Sequence, residues 1–338
     1  MKIIVLFFSL LLIFSVQAKT RIYFGSCAKQ DKDLTILDSI NKDKPDVFIF
    51  LGDNIYGDSR DTEELAAKYQ MLADKANFQT LRAQSEVLAI WDDHDYGEND
   101  AGREYPNKHA SKKLFLDFWQ EPKTSTRHQH QGIYQDYFIG DNNKIHVILP
   151  DLRWNRDPLN SVSTFDNIFK RRPNNQGPYK AHQDTSSMLG ETQWQWLEQA
   201  LLKPAKLKII GSSLQLLPEF TGWESWANYP ADRLRLLNFI KQKQINGVMI
   251  ISGDTHWGEL SQIDIGYPLW EITSSGLSEE WKAVSPNRHR HGNYTDKINY
   301  GFIDINWQQA DPLLTFGLKN QQGKVTHQQR LNLSALSF

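Results

Sequence analysis

The chain has 338 residues and carries 38 lysine and arginine against 40 aspartate and glutamate side chains, a formal net charge of −2. That balance argues against a polyanion-binding module, which usually shows a net basic face. An aromatic content of 12% with 11 tryptophans supports a sizeable core and argues against disorder, and the length suits one large α/β domain or two ordinary ones.

The start reads as an address. Lys2 supplies a positive charge, Ile3 to Phe14 a short apolar stretch, and Val16-Gln17-Ala18 a small-residue cleavage pattern. The stretch is too short to span a bilayer comfortably. No twin-arginine pair precedes it and no cysteine follows that would carry a lipid. Residues 1–18 are expected to be a Sec-type signal peptide and 19–338 the mature domain, periplasmic or extracellular, without a transmembrane anchor after cleavage. An uncleaved N-terminal anchor is the alternative. Disulfides are available outside the cytoplasm, yet Cys27 is the single cysteine, so none forms within the chain. Cys27 reads either as a small buried hydrophobe or as a metal ligand.

Near-continuous apolar runs then predict strands at Arg21–Ser26, Asp46–Gly52, Glu86–Trp91, Lys144–Pro150, Lys206–Ser212 and Gly247–Gly253. Apolar residues at three- and four-residue spacings predict helices over Thr62–Asn77, Lys108–Trp119, Thr192–Leu202 and Asp232–Gln242, the first capped by Asp61 or Thr62. "GIYQDYFIG" alternates, and the stretch from Pro312 to Leu333 reads as a hairpin around Gln321–Lys324. The strand–helix alternation gives an α/β core, with the late hairpins as a second sheet packed on it. Ser161–Ser187 and Ser278–Asp296 resist assignment; loops this long in a compact domain are either functional or simply solvated.

Chemistry gathers at the strand ends. "IYFGSC" ends in Cys27, "VFIFLGDNIYG" in Asp53 and Tyr56, "VLAIWDDHDYG" in Asp92, Asp93, His94 and Asp95, and "VMIISGDTHWG" in Asp254 and His256. Any one Gly-Asp is ordinary turn chemistry. Four together are different, because the carboxyl ends of strands in α/β sheets are where ligands bind. Clustered carboxylates cost several kcal/mol unless cations pair with them, and few arginines or lysines lie beside these motifs. A metal cluster resolves the conflict. Carboxylates favour calcium, magnesium, manganese or ferric iron; the Tyr56 phenolate and Cys27 thiolate suit ferric iron. A structural zinc site would concentrate Cys and His.

"FGSC", "GDNIYG", "WDDHDYGEND", "DLRWNR" and "SGDTHWGEL" occur in the order found in PhoD-like phosphatases, and the chain resembles that family from about Ile22 to "NYGFIDINW". The resemblance implies a metallophosphoesterase αββα sandwich: two mixed β-sheets flanked by helices. It implies that Asp53 bridges two metals, that Tyr56 and Cys27 bind Fe3+, and that Asp93 is a ligand where the wider superfamily has Asn. It implies His94 as the acid for the leaving group, and Asp254 with His256 as the last ligand pair. Asp254 replaces an imidazole, which makes the second site more suited to Ca2+, with Mn2+, Mg2+ or Zn2+ as alternatives there. Three features depart from the family pattern: no histidine in "KLKIIGSSLQLLPEF", a Sec-like rather than twin-arginine start, and no room for a large N-terminal β-domain.

The expected function is an exported metal-dependent phosphoesterase. A metal hydroxide attacks in line while His94 protonates the leaving alkoxide. Arg153 and Arg156 are candidates to clamp a phosphate oxygen, against ion pairing with Asp151 or Asp157. Arg288, His289 and His291 form a substrate-side loop, against a solvated basic turn. The substrate is a small phosphate ester or a phospholipid headgroup. The rival readings are a phospholipase D-like phosphodiesterase of the same family and a noncatalytic exported calcium-binding protein. A nuclease is disfavoured by the neutral charge, so no nucleic-acid partner is expected.

Overall fold

The computed structural model describes residues 19–174, 176–220 and 222–338, without the Asn174 side chain. The expected signal segment lies outside the described residues. β1 (Lys19–Gly25), β2 (Val47–Leu51) and β3 (Glu86–Ile90) run parallel, with Phe24 opposite Ile49 and Phe50 opposite Ala89. β4 (Gln135–Ile139), β5 (Ile145–Leu149), β6 (Leu207–Ser212), β7 (Val248–Ser252), β8 (Gly258–Asp264), β9 (Pro268–Ser274) and β10 (Arg290–Thr295) form a mixed sheet in the order β10-β8-β9-β7-β6-β5-β4. β11 (Asn299–Asn306), β12 (Leu313–Asn320) and β13 (Val325–Asn332) complete the first sheet as β13-β12-β11-β1-β2-β3.

Every residue of β2, β5, β6 and β7 is buried, which is why these runs are apolar without alternation. One face of each meets the other sheet. A Cβ placed on Gly211 of β6 would stand 3.3 Å from Leu51 Cδ2 of β2. The helices α1 (Ile36–Asp43), α2 (Thr62–Ala73), α3 (Ala76–Gln84), α4 (Lys108–Phe118), α5 (Glu191–Leu202) and α6 (Pro230–Gln242) bury apolar faces in the same core.

Two expectations are corrected. The late hairpin does not found a second sheet. It extends the first through β11, which pairs antiparallel with β1 from Lys19↔Asn306 onward, while β5, β6 and β7 found the second. The helix expected over Thr62–Asn77 is broken at Asp74 and Lys75, where Lys75 is extended (φ −74, ψ 121) and caps α3. Asp61 caps α2 by accepting the Glu63 N–H at 2.9 Å. Among the described residues no helix is long and apolar enough to cross a membrane.

Of the unassigned segments, the first is an excursion closed at its base by the Ser161↔Tyr179 bridge, with a helical stretch made of Thr164–Asp166 and Asn167–Arg171. The second contains β10, paired with β8.

Candidate metal centre

β1, β2, β3 and β7 end on one side of the facing sheets, and their trailing residues turn sharply. Gly52 has φ +100, and a Cβ there would lie 2.5 Å from Asp92 Cβ, so only glycine lets the β2 and β3 ends touch. A Cβ on Gly253 would lie 2.6 Å from Ser26 Oγ, which brings the β7 end against β1 in the same way. Cys27 (φ 62), Asp53 (φ 50), Asp254 (φ 69) and His256 (φ 61) all adopt left-handed backbone. Non-glycine residues held there cost on the order of 1–3 kcal/mol each.

These turns gather two sets of donors around one carboxylate. Single donor atoms of Cys27, Asp53 and His256 lie within 4.8 Å of one another, as do those of Asp53, Asp92, Asp93 and Asp254. Cys27 Sγ is 3.4 Å from Asp53 Oδ2, and Tyr56 Oη is 2.9 Å from His256 Nε2. Asp53 thus stands where the two sets meet.

The centre is acidic and largely buried. Asp53, Asp92, Asp93, Asp95 and Glu224 are buried, with the fully buried guanidinium groups of Arg153 and Arg156 among them. Arg153 Nε donates to Asp92 Oδ1 at 2.6 Å and Nη1 to Glu224 Oε1 at 2.8 Å; Arg156 also pairs with Glu224. The shortage of cationic side chains inferred from the motifs is therefore partly made good from the β5 end. Asp95 is satisfied by backbone and amide donors, accepting from Asp92 N (2.6 Å), Asp53 N (3.2 Å) and Asn54 Nδ2 (2.5 Å). Asp95 accordingly ties the two strand ends together.

What remains tests the fit to cations. Asp53 Oδ1 and Asp92 Oδ2 are buried without a hydrogen-bond partner, Asp93 Oδ1 has only the Arg153 guanidinium at 3.5 Å, and buried carboxylate oxygens without partners are costly. A thiol, a phenol, an imidazole and several carboxylates are a donor set that metal ions take. The residues fit.

Titration points the same way. Burial, then repulsion among the neighbouring carboxylates, pushes Asp53 and Asp254 well above the usual carboxylate range. Burial lifts Asp92 to about 6 despite Arg153, and lifts Asp95 and Asp100 to about 8. Burial also opposes ionisation of Asp93, but Arg153 and His94 outweigh it and hold Asp93 at about 2. His256 falls to about 4 through burial, and its ring shares a hydrogen bond with the Tyr56 hydroxyl.

A pH prediction follows. Between about pH 6.5 and 8.5 the cation-free folded state binds more protons than the unfolded chain, because its raised carboxyls titrate there and unfolded carboxyls have already ionised. Stability therefore falls as pH rises through this window. Cations held by Asp53, Asp92 and Asp254, whose carboxyls are raised as well, displace the protons those groups carry and offset part of the loss. The difference in Tm between metal-loaded and chelated protein is expected to widen from pH 6.5 to 8.5 in scanning calorimetry. A difference independent of pH would contradict the account.

The expected site residues divide into three groups. Cys27, Asp53, Tyr56, Asp93, His94, Asp254 and His256 come together. Arg153 and Arg156 join them, but fully buried against carboxylates rather than open to a phosphate, and their partners include neither Asp151 nor Asp157 as side-chain ion pairs. Arg288 and His291 stay apart: Arg288 pairs with Glu219 on the surface, and His291 packs edge-on against Trp270.

Sequence reading missed Asp58, whose Oδ1 lies 2.7 Å from His94 Nδ1. The second Gly-Asp of "GDNIYGD" was its signal. It also missed Glu224 and Asp100, which approach Asp93, and Asp92 as a donor beside Asp93.

A cavity of about 210 Å3 adjoins the centre, lined by Asp93, His94, Asp254 and His256 together with Trp223 and Trp281.

This pairing of facing mixed sheets with a centre at their converging strand ends is the architecture of the metallophosphoesterases. In fold the chain is similar to a dimetal phosphatase from Danio rerio (TM-score 0.55, 13% identity, 93% of this chain and 99% of that one). It is similar also to a structure of PhoD (TM-score 0.68, 18% identity, 94% of this chain and 69% of that one). Residues 22–325 match the PhoD-like phosphatase family, and the chain belongs to that family. Alkaline phosphatase D of Bacillus subtilis (strain 168) is 25% identical over 300 residues, which are 75% of this chain and 48% of that protein. The chain spans about half the length of this curated relative.

Proposed function

We propose that the chain hydrolyses phosphate esters (monoesters, diesters or both) and that His94 protonates the departing alkoxide. The observation that carries this reading is the His94–Asp58 pair at the edge of the donor cluster. A cage built only to hold ions needs no proton donor, yet His94 Nδ1 is held by Asp58 and the ring packs at a tilt against Tyr56 with centroids 4.2 Å apart. Burial alone would lower the His94 pKa. Asp53, Asp93 and Asp58 outweigh burial and push it to about 11 in the cation-free centre, and Asp58 keeps its hold on Nδ1 whether or not cations are bound to the others.

Cys27, Asp53, Tyr56 and His256 would hold Fe3+, and Asp53, Asp92, Asp93 and Asp254 would hold Ca2+, with Mn2+, Mg2+ or Zn2+ as alternatives. When bound, these ions offset phosphate charge and acidify a water so that it is nucleophilic near neutral pH. Arg153 and Arg156 are positioning residues in this scheme: through Asp92 and Glu224 they fix the wall against which the ester sits. The cavity between His94 and the two tryptophans takes the alcohol portion, whether a small ester or a phospholipid headgroup. The protein is proposed to work outside the cytoplasm, consistent with the signal-like start of its sequence.

Metal analysis of the purified protein together with a panel of mono- and diesters tests this reading. Expected are iron and a second cation per chain, colour from the phenolate and thiolate donors that is bleached or shifted in Tyr56→Phe, and hydrolysis lost on chelation and restored on reloading. A fully loaded protein that hydrolyses none of the esters would favour the noncatalytic calcium-binding reading.

A further inference from the structure

We infer that the helical excursion between Ser161 and Tyr179 docks on a lipid surface bearing anionic headgroups. Apolar burial explains nothing about its helix, because Phe165, Ile168 and Phe169 are 62%, 46% and 64% exposed. Phe165 and Phe169 lie about one helical turn apart, their rings pack together at 4.8 Å, and Ile168 is exposed next to Phe169 in the chain. An exposed aromatic face of this kind is unfavourable in water and favourable at a membrane interface.

Charge selects the kind of surface. Lys170, Arg171 and Arg172 follow the aromatic pair directly, and from Ser161 to Lys180 there are four basic residues and one acidic, in a chain whose net charge is negative. Basic residues beside apolar anchors are attracted to anionic lipid, each adding its own electrostatic contribution. The helix starts cleanly, with Ser163 Oγ accepting the Asp166 N–H at 3.1 Å. It is braced by the Lys170–Asp166 pair across one turn.

The excursion is attached to the cavity. Val162 N donates to Pro178 O at 2.8 Å and Lys180 N to Asn160 O at 3.0 Å, which closes its base. Tyr179 hydroxyl donates to Asp100, and Tyr179 N donates to Gly222 O at 3.1 Å, next to Trp223 on the cavity rim. Trp223 and Trp281, each 39% exposed, meet edge to face beside that base. A helix lying in the interface would thus bring the cavity mouth to the headgroup layer. This inference does not depend on the chain being a phosphoesterase.

Co-sedimentation of the metal-loaded protein with vesicles provides the test. Binding to vesicles of 30% phosphatidylglycerol in phosphatidylcholine is expected, at least tenfold weaker on pure phosphatidylcholine. Phe165→Ser/Phe169→Ser is expected to lose at least tenfold of the binding to the anionic vesicles, with Tm unchanged because the substituted rings lie outside the core. Absence of wild-type binding to the anionic vesicles, or equal binding by the double variant, overturns the inference. So does concentration-dependent self-association, abolished by the double variant, in a protein that ignores vesicles; that face would then join two copies of the chain.

Discussion

Asp53→Asn is expected to deplete both cation positions at once and to lower hydrolysis on the order of a thousandfold, equivalent to about 4 kcal/mol. The amide keeps the shape and removes the charge, so packing against Cys27 Sγ, 3.4 Å away, is preserved. The cation-free protein should not become less stable. Asp53 Oδ1 is a buried oxygen without a partner, and neutralising such a group relieves a cost rather than adding one. What disappears is the gain in Tm that cations confer on the wild type, because one carboxylate is lost from both donor sets. Metal content per chain and Tm with and without chelator separate these contributions. A folded variant with full metal content and normal turnover would end the shared-ligand model.

His94→Ala is expected to act on chemistry rather than on loading. For alkyl esters, whose alkoxide needs a proton, hydrolysis should fall by about 10² to 10⁴. For nitrophenyl esters, whose leaving group departs readily as an anion, the loss should be much smaller. Asp58→Asn should show the same dependence on leaving group with a smaller amplitude, since it holds the imidazole without touching the ester. His94 also lies within reach of Asp53 and Asp93, which offers a competing role as ligand. Metal content decides between the two: retained cations with a leaving-group-dependent loss support the acid, whereas equal losses for both ester types with depleted metal make His94 a ligand.

Much of this architecture was legible because its strands are buried on both faces and so spell themselves as unbroken apolar runs. The partners of those strands were not. β1 pairs with β11 across more than half of the chain, and nothing in "NYGFIDIN" says which edge it joins. Helix boundaries failed where a local turn interrupted a continuing pattern, as at Asp74 and Lys75. At the centre, donors that end strands were readable from their motifs. Glu224 was not, because "GWESWANY" lies on no strand, and its approach to Asp93 depends on a loop that packs Gly222 against Gly177. The depth of Arg153 was equally hidden: a motif shows that a guanidinium is near acid, not which side of it faces solvent.

The left-handed turns at Cys27, Asp53, Asp254 and His256 bear on ion selectivity. Their backbone is pinned by bonds in which no ion takes part: Ala28 N to Asp53 O at 2.9 Å, Asp254 N to Ser26 Oγ at 3.2 Å and His256 N to Ser275 Oγ at 2.8 Å. The conformational strain is thus borne by the framework, and an arriving ion need not fold its own site. One ion can replace another without any turn having to unwind. Discrimination then rests on charge and donor softness, and the abundance of each ion in the surroundings weighs directly on which one is resident.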